Sequence, residues 1–189
     1  MHGVTLVELA IVMAVLGLLL AMGVPSLTGF IANQRIRGAA HTVLSALQQA
    51  REEAVRRNST VRLSLVNTDT NTCVLSNAGP HIVVSQQNPA GKCAAVPSET
   101  NGPQIVKVIR ADRESNTSFA ARDGNGDPQS SIAFNGFGRV DTSAGGWVSQ
   151  IDVKMPTVST VRPLRVRIST AGEIGICDPA ARTNDPRSC

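Results

Sequence analysis

Few side chains among these 189 residues have the type and spacing to do chemistry. Glu8 is the first: it is the only charge in the first 25 residues and stands at the head of an apolar run, Leu9-Ala-Ile-Val-Met-Ala-Val-Leu-Gly-Leu-Leu-Leu-Ala-Met-Gly-Val24. A carboxylate in such a run is costly unless it is paired or held at a membrane interface, so it marks a functional candidate in want of a cationic partner. Resting at headgroup level is the plainer alternative. Asp123-Gly-Asn125-Gly-Asp127 has the oxygen spacing of a calcium loop, but Pro128 stands where that loop needs glycine and Phe134 where it needs a bidentate acid. A polar turn is expected there, and no metal or cofactor. His2, His41 and His81 do not cluster with a nucleophile and an acid in any recognisable order, and His41 reads as a helix-surface residue. No catalytic triad, enzyme activity or small-molecule substrate is expected.

Cys73, Cys93, Cys177 and Cys189 contain no Cys-x-x-Cys pair, so zinc spacing is absent. Two disulfides in an oxidising compartment are expected. Of three connectivities, Cys73 with Cys93 and Cys177 with Cys189 are preferred, because each pair closes a polar, turn-rich loop and the second ties down the tail.

The net charge of +4 must be divided before it is read as nucleic-acid binding. Residues 1–25 carry −1, residues 26–57 carry +3 from five Arg and two Glu, and residues 58–189 carry +2 from thirteen basic and eleven acidic side chains. That excess is modest and partly helical, which suits interspersed surface charge better than a dedicated polyanion site. The mean hydropathy of +0.02 is likewise an average over two materials, an apolar head and a polar remainder. With 17% charged residues and recurrent short Val, Ile and Leu runs, the remainder is expected to fold, and 16 Gly with 10 Pro exclude a long coiled coil.

The elements that must position these residues emerge from periodicity. Val4 to Val24 would span about 30 Å as a helix, the thickness of a hydrocarbon core. The run continues through Pro25 without an Ala-x-Ala-like site, so an anchor is favoured over a conventional secretory signal. Pro25 is expected to kink the helix. Beyond it Ile36, Ala40, Val43, Leu47, Ala50 and Ala54 recur at helical spacing, predicting an amphipathic helix that ends at Asn58-Ser59. From Val61 the period changes to two, predicting short antiparallel strands at Val61–Val66, 73–75, 82–84, Ile105–Ile109, Ser131–Phe134, 138–141, 148–155, 165–169 and 173–177. No βαβ alternation or Gly-rich phosphate loop is present, so nucleotide-binding α/β folds are not expected.

Gly3-Val4-Thr5-Leu6-Val7-Glu8-Leu9, followed by the apolar run and Pro25-Ser26, resembles the class III signal of type IV pilins and type II secretion pseudopilins. The resemblance implies that a prepilin peptidase cuts after Gly3 and methylates Val4, and that Glu8 neutralises the N-terminal amine of a neighbouring subunit. Ser45-Ala-Leu-Gln-Gln-Ala-Arg-Glu-Glu-Ala-Val-Arg-Arg-Asn58 before a strand, Ile132-Ala-Phe-Asn-Gly-Phe-Gly138 and the closing Ile176-Cys-Asp-Pro179 resemble the GspH/FimT/FimU group of minor pilins and pseudopilins. This second resemblance implies an α+β, pilin-like fold: leader 1–3, transmembrane helix 4–25, amphipathic continuation 26–57, and a periplasmic β-rich domain 58–189. The partners implied are other pilins or pseudopilins, the prepilin peptidase and the inner membrane, with the chain at a filament tip after assembly. Secretion pseudopilus and type IV pilus both remain open.

DNA binding is the alternative function. FimT-type members are associated with DNA uptake through a Gly-Arg-x-Arg closing hairpin, but the matching positions here read Gly172-Glu173-Ile174-Gly175. A displaced patch would have to draw on Arg162, Arg165, Arg167, Arg182 and Arg187.

Overall fold

The computed structural model describes residues 3, 5–110, 117–143, 146–155 and 161–189, with the backbone alone for residues 20–27. A single long helix, α1 (Leu6–Arg57), precedes eight strands: β1 (Val61–Val66), β2 (His81–Ser85), β3 (Ile105–Ile109), β4 (Ser118–Arg122), β5 (Ser131–Phe134), β6 (Gln150–Lys154), β7 (Leu164–Ile168) and β8 (Ile174–Cys177). Both ends of α1 are set by local chemistry. The Thr5 hydroxyl accepts the backbone N–H of Glu8 at 3.3 Å, satisfying a donor that the first turn would leave orphaned. Asn58 stops the helix in the left-handed region at φ 46°, its N–H donating to the carbonyls of Ala54 and Val55, and Arg56 and Arg57 complement the dipole of the last turn. The helix is continuous through Pro25, so the proline does not end it.

The strands form two four-stranded antiparallel sheets, ordered β3-β2-β1-β5 and β4-β6-β7-β8. The α1 stripe joins them: Ile36, Ala40, Val43, Leu47, Ala50 and Ala54 are buried, with Ala32 and Ala46 widening the contact. Facing them are Leu63, Leu65, Ile82, Ile132 and Phe134 from the first sheet and Ile151, Val153, Val166 and Ile168 from the second. Register keeps this face intact, since Leu63 lies opposite both Val84 and Ile132.

Three details differ from what periodicity alone predicts. In β1 the residues Leu63–Val66 are all buried rather than alternating. Its outer face carries a second apolar cluster, Val66, Val83 and Ile105 packed with Cys73 and Cys93, so this sheet is covered on both sides. The strands expected at 73–75 and 138–141 are only isolated bridges, Val66 with Leu75 and Phe134 with Val140. Conversely β4 forms where no strand is expected. Its Ser-Phe-Ala-Ala-Arg sequence has little β preference, yet all five residues pair with β6, burying Phe119 and Ala121.

Cys73 is bonded to Cys93 and Cys177 to Cys189, with Cα separations of 6.1 and 5.1 Å. The first bond sits in the outer apolar cluster. The second closes the tail, where Asp178 N–H also donates to the Arg187 carbonyl at 2.7 Å.

Candidate functional site

Burial divides α1 into two parts. Among the described residues Ala32 is the first that is buried, and from there the helix serves the core. Before it, Leu6, Val7, Leu9, Ile11, Val12, Met13, Val15, Leu16, Leu18 and Leu19 are all exposed, and so are Phe30 and Ile31. A contiguous apolar surface of this kind marks contact with protein or lipid. Among the described residues no helix is long and apolar enough to cross a membrane. The described side chains of the apolar run stop at Leu19, short of the about 20 residues a span requires.

Glu8 lies in the exposed first turn of this arm, where a carboxylate complements the helix dipole. Thr5-Leu-Val-Glu8 therefore carries a capping signal in addition to the role assigned to Glu8. The Thr-x-x-Glu spacing before an apolar run is the sequence signature that would have revealed it. Gly3 is exposed beside the cap, while Val4 and His2 lie outside the described residues.

The five arginines grouped as a displaced DNA patch do not act as one. Arg165 donates two hydrogen bonds, at 2.6 and 3.1 Å, to the buried carboxylate of Asp152, and that pairing raises the guanidinium pKa above its ordinary value. Arg167 donates to the Cys189 carbonyl at 2.7 Å. Arg187 grips Asp185 through two hydrogen bonds, holding that carboxyl down at about 2. Arg162 reaches Asp178 at 3.6 Å, and Arg182 is exposed beside Asp185.

Arg162 and Arg187 instead meet two residues far from them in sequence. Arg37 and His41 of α1 share with them a groove of about 420 Å³, walled by Ile36, Leu164 and Ile176 and containing Asp178. Arg37 and His41 lie one helical turn apart, the i, i+4 spacing that puts two side chains on one face. Their meeting with the C-terminal tail depends on the tertiary fold and had no sequence signal.

At the opposite end of α1 the Phe134-Asn-Gly-Phe-Gly138 segment makes a fixed loop. The Asn135 side-chain oxygen accepts the N–H groups of Phe137 and Arg139 at 3.0 and 3.1 Å. Gly138, at φ +73°, lies against Arg51 and Val55, and Phe137 is 85% exposed at the tip. Glu53, bonded chiefly to Arg56 and also to Arg57, is held below the usual carboxylate pKa.

The calcium-like segment is occupied by its own backbone. Asp123 Oδ1 accepts from the N–H groups of Asn125 and Asp127 at 2.9 and 2.8 Å, making a turn with Gly126 at φ +93°. Among the described residues no cluster of His, Cys, Asp or Glu is arranged to hold a metal ion. His41 is exposed on α1, and His81 opens β2 opposite Val66.

Residues 39–172 match the family model described as type II transport protein GspH. Two crystal forms of the type IV minor pilin FimU from Pseudomonas aeruginosa (strain PAO1) share the fold at 12% identity. The P21 form has a TM-score of 0.53, covering 82% of this chain and 98% of FimU, and the P65 form has 0.50, covering 79% and 98%. The minor pseudopilin EpsH from the type 2 secretion system of Vibrio cholerae also aligns, with a TM-score of 0.47 at 12% identity over 78% of this chain and 99% of EpsH. No match is found among curated proteins.

Proposed function

The chain belongs to the family of type II transport protein GspH, and from that premise we propose that it is a minor subunit of a pilus or pseudopilus, anchored in the inner membrane before it enters a filament tip. The observation that carries this reading is the division of α1: an exposed apolar arm capped by Thr5 and Glu8, continuous with a helix whose other half is the spine of the domain. Such an arm exchanges one apolar environment for another, lipid before assembly and neighbouring helices after it.

In this reading a prepilin peptidase removes residues 1–3 and methylates the new N-terminus at Val4. Residues 4–25 span the inner membrane, 26–57 continue the helix, and 58–189 stand in the periplasm, where the two disulfides form. Glu8 then meets the N-terminal amine of an adjacent subunit, a pairing that makes a carboxylate tolerable in a low-dielectric surrounding. The function is assembly with other pilins or pseudopilins, not catalysis. Gene neighbours distinguish the two machines: a secretin, an export ATPase and other pseudopilins go with secretion, a pilus adhesin with pili.

The DNA-binding alternative finds little support in the arginines, since Arg165, Arg167 and Arg187 are hydrogen-bonded within the chain. Filaments sheared from cells carrying the wild-type or the Glu8→Ala chain provide the test. We expect both chains to be processed, with Glu8→Ala depleted from filaments roughly tenfold or more, the effect of losing about 1.4 kcal/mol of pairing. Equal incorporation would remove Glu8 from assembly.

A further inference from the structure

We propose that the arm-side pole of the domain is a phospholipid-headgroup site, with the groove between α1 and β7–β8 taking the phosphate of an anionic lipid; this rests on the membrane reading above. The first observation is a length. Residues 9–34 carry no charge, and the helical rise from Glu8 to Arg35 is about 40 Å, the thickness of a bilayer including its headgroups. With residues 4–25 in the hydrocarbon, the uncharged stretch runs on past the exposed Phe30 and Ile31 and ends about 15 Å beyond the span at Arg35 and Arg37, whose long side chains can reach back toward the headgroups.

The second observation is charge. Around this pole, leaving Arg35 aside, lie Arg37, Arg110, Arg162, Arg182 and Arg187 against Asp69, Asp178 and Asp185, five cations to three anions among the described residues, a net +2. Around the far pole Arg51, Arg56, Arg57 and Arg139 balance Glu52, Glu53, Glu99 and Glu173. The basic pole is thus the one that faces the membrane, where anionic headgroups attract nearby Lys and Arg.

The third is the lining of the groove. Arg37 forms no ion pair among the described residues, and the 3.6 Å contact of Arg162 with Asp178 is too long to occupy the guanidinium donors. Ile36, Leu164 and Ile176 line the same groove. Guanidinium groups and aliphatic side chains in one groove match a phosphate joined to acyl chains, whereas a nucleic acid would find no aromatic ring to stack on. Lipid held here keeps the domain seated until the subunit is drawn into a filament.

The test reconstitutes the full chain into nanodiscs of phosphatidylcholine, with or without about one-third phosphatidylglycerol, and follows amide exchange over residues 33–41 and 174–178. Phosphatidylglycerol should slow exchange there about threefold or more, an effect lost in Arg37→Gln/Arg162→Gln and largely kept in Arg37→Lys/Arg162→Lys. Unchanged exchange in β1 and β6 verifies that the variants are folded. Equal exchange in the two disc types overturns the lipid site and leaves the anchor standing. The same slowing by inorganic phosphate or duplex DNA in phosphatidylcholine discs also overturns it, assigning the groove to a free anion or to nucleic acid. A chain that enters neither disc contradicts the anchor, and the lipid site falls with it.

Discussion

At the scale of single residues, ionised groups are placed either to be satisfied within the chain or to wait for a partner. Asp152 is of the first kind. It is 5% exposed and relies on the two hydrogen bonds from Arg165. Arg165→Ala leaves this buried carboxylate only the 3.9 Å ion pair with Lys154 and should cost about 2–3 kcal/mol in urea unfolding, somewhat below the loss from a fully buried pair because Arg165 itself is partly exposed. Asp185 shows the same pairing at the surface, with a pH signature. Its carboxyl is held at about 2 by Arg187, below its ordinary 3.8, so the contribution is present above pH 4 and lost as pH falls toward 2. Amide exchange over residues 185–188 should therefore be flat down to about pH 4, after correction for intrinsic rates, and rise below it. A rise centred at neutral pH would point to another group. In the assembly proposed above Glu8 is of the second kind, a carboxylate in an exposed turn at the end of an apolar arm.

At the scale of elements, α1 holds the molecule together. Leu47 is fully buried where the helix meets the sheets, and Leu47→Ala should cost about 2–5 kcal/mol in thermal or urea unfolding. Gly138, left-handed and in contact with Arg51 and Val55, should lose about 1–2 kcal/mol as Gly138→Ala, measured the same way. The helix was legible because its stripe from Ile36 to Ala54 keeps one period for five turns and its end has a polar stop at Asn58. The strands with alternating Val, Leu and Ile were legible for the same reason. What could not be read were effects that depend on a partner distant in sequence. β4 is made a strand by pairing with β6, and the outer face of β1 is buried by a loop that the Cys73–Cys93 bond and backbone hydrogen bonds such as Ser76 N–H to the Leu65 carbonyl hold over it. The candidate site divides likewise. Glu8 stood out as a lone charge, whereas the groove of Arg37, His41, Arg162 and Arg187 needs two ends of the chain to meet.

At the scale of the whole molecule, one helix serves two environments. Its second half is the inner layer against two sheets, and its first half exposes leucine, isoleucine, valine and methionine side chains with no domain of their own to cover them. Two polar loops are closed by disulfides, and a basic pole lies where the arm leaves the domain. A fold of this form makes sense when the arm is buried by something outside the chain. That claim has a direct test, because all four native cysteines are bonded and an introduced thiol is the only reactive one. Leu16→Cys, at an exposed position of the arm, is oxidised in intact cells, and sheared filaments are compared with the unassembled membrane fraction. With a matching cysteine in the arm of another pilin-type subunit, a cross-linked product is expected in filaments and little in the membrane pool. Filaments that contain the chain yet give no product at any arm position would contradict burial of the arm by its neighbours.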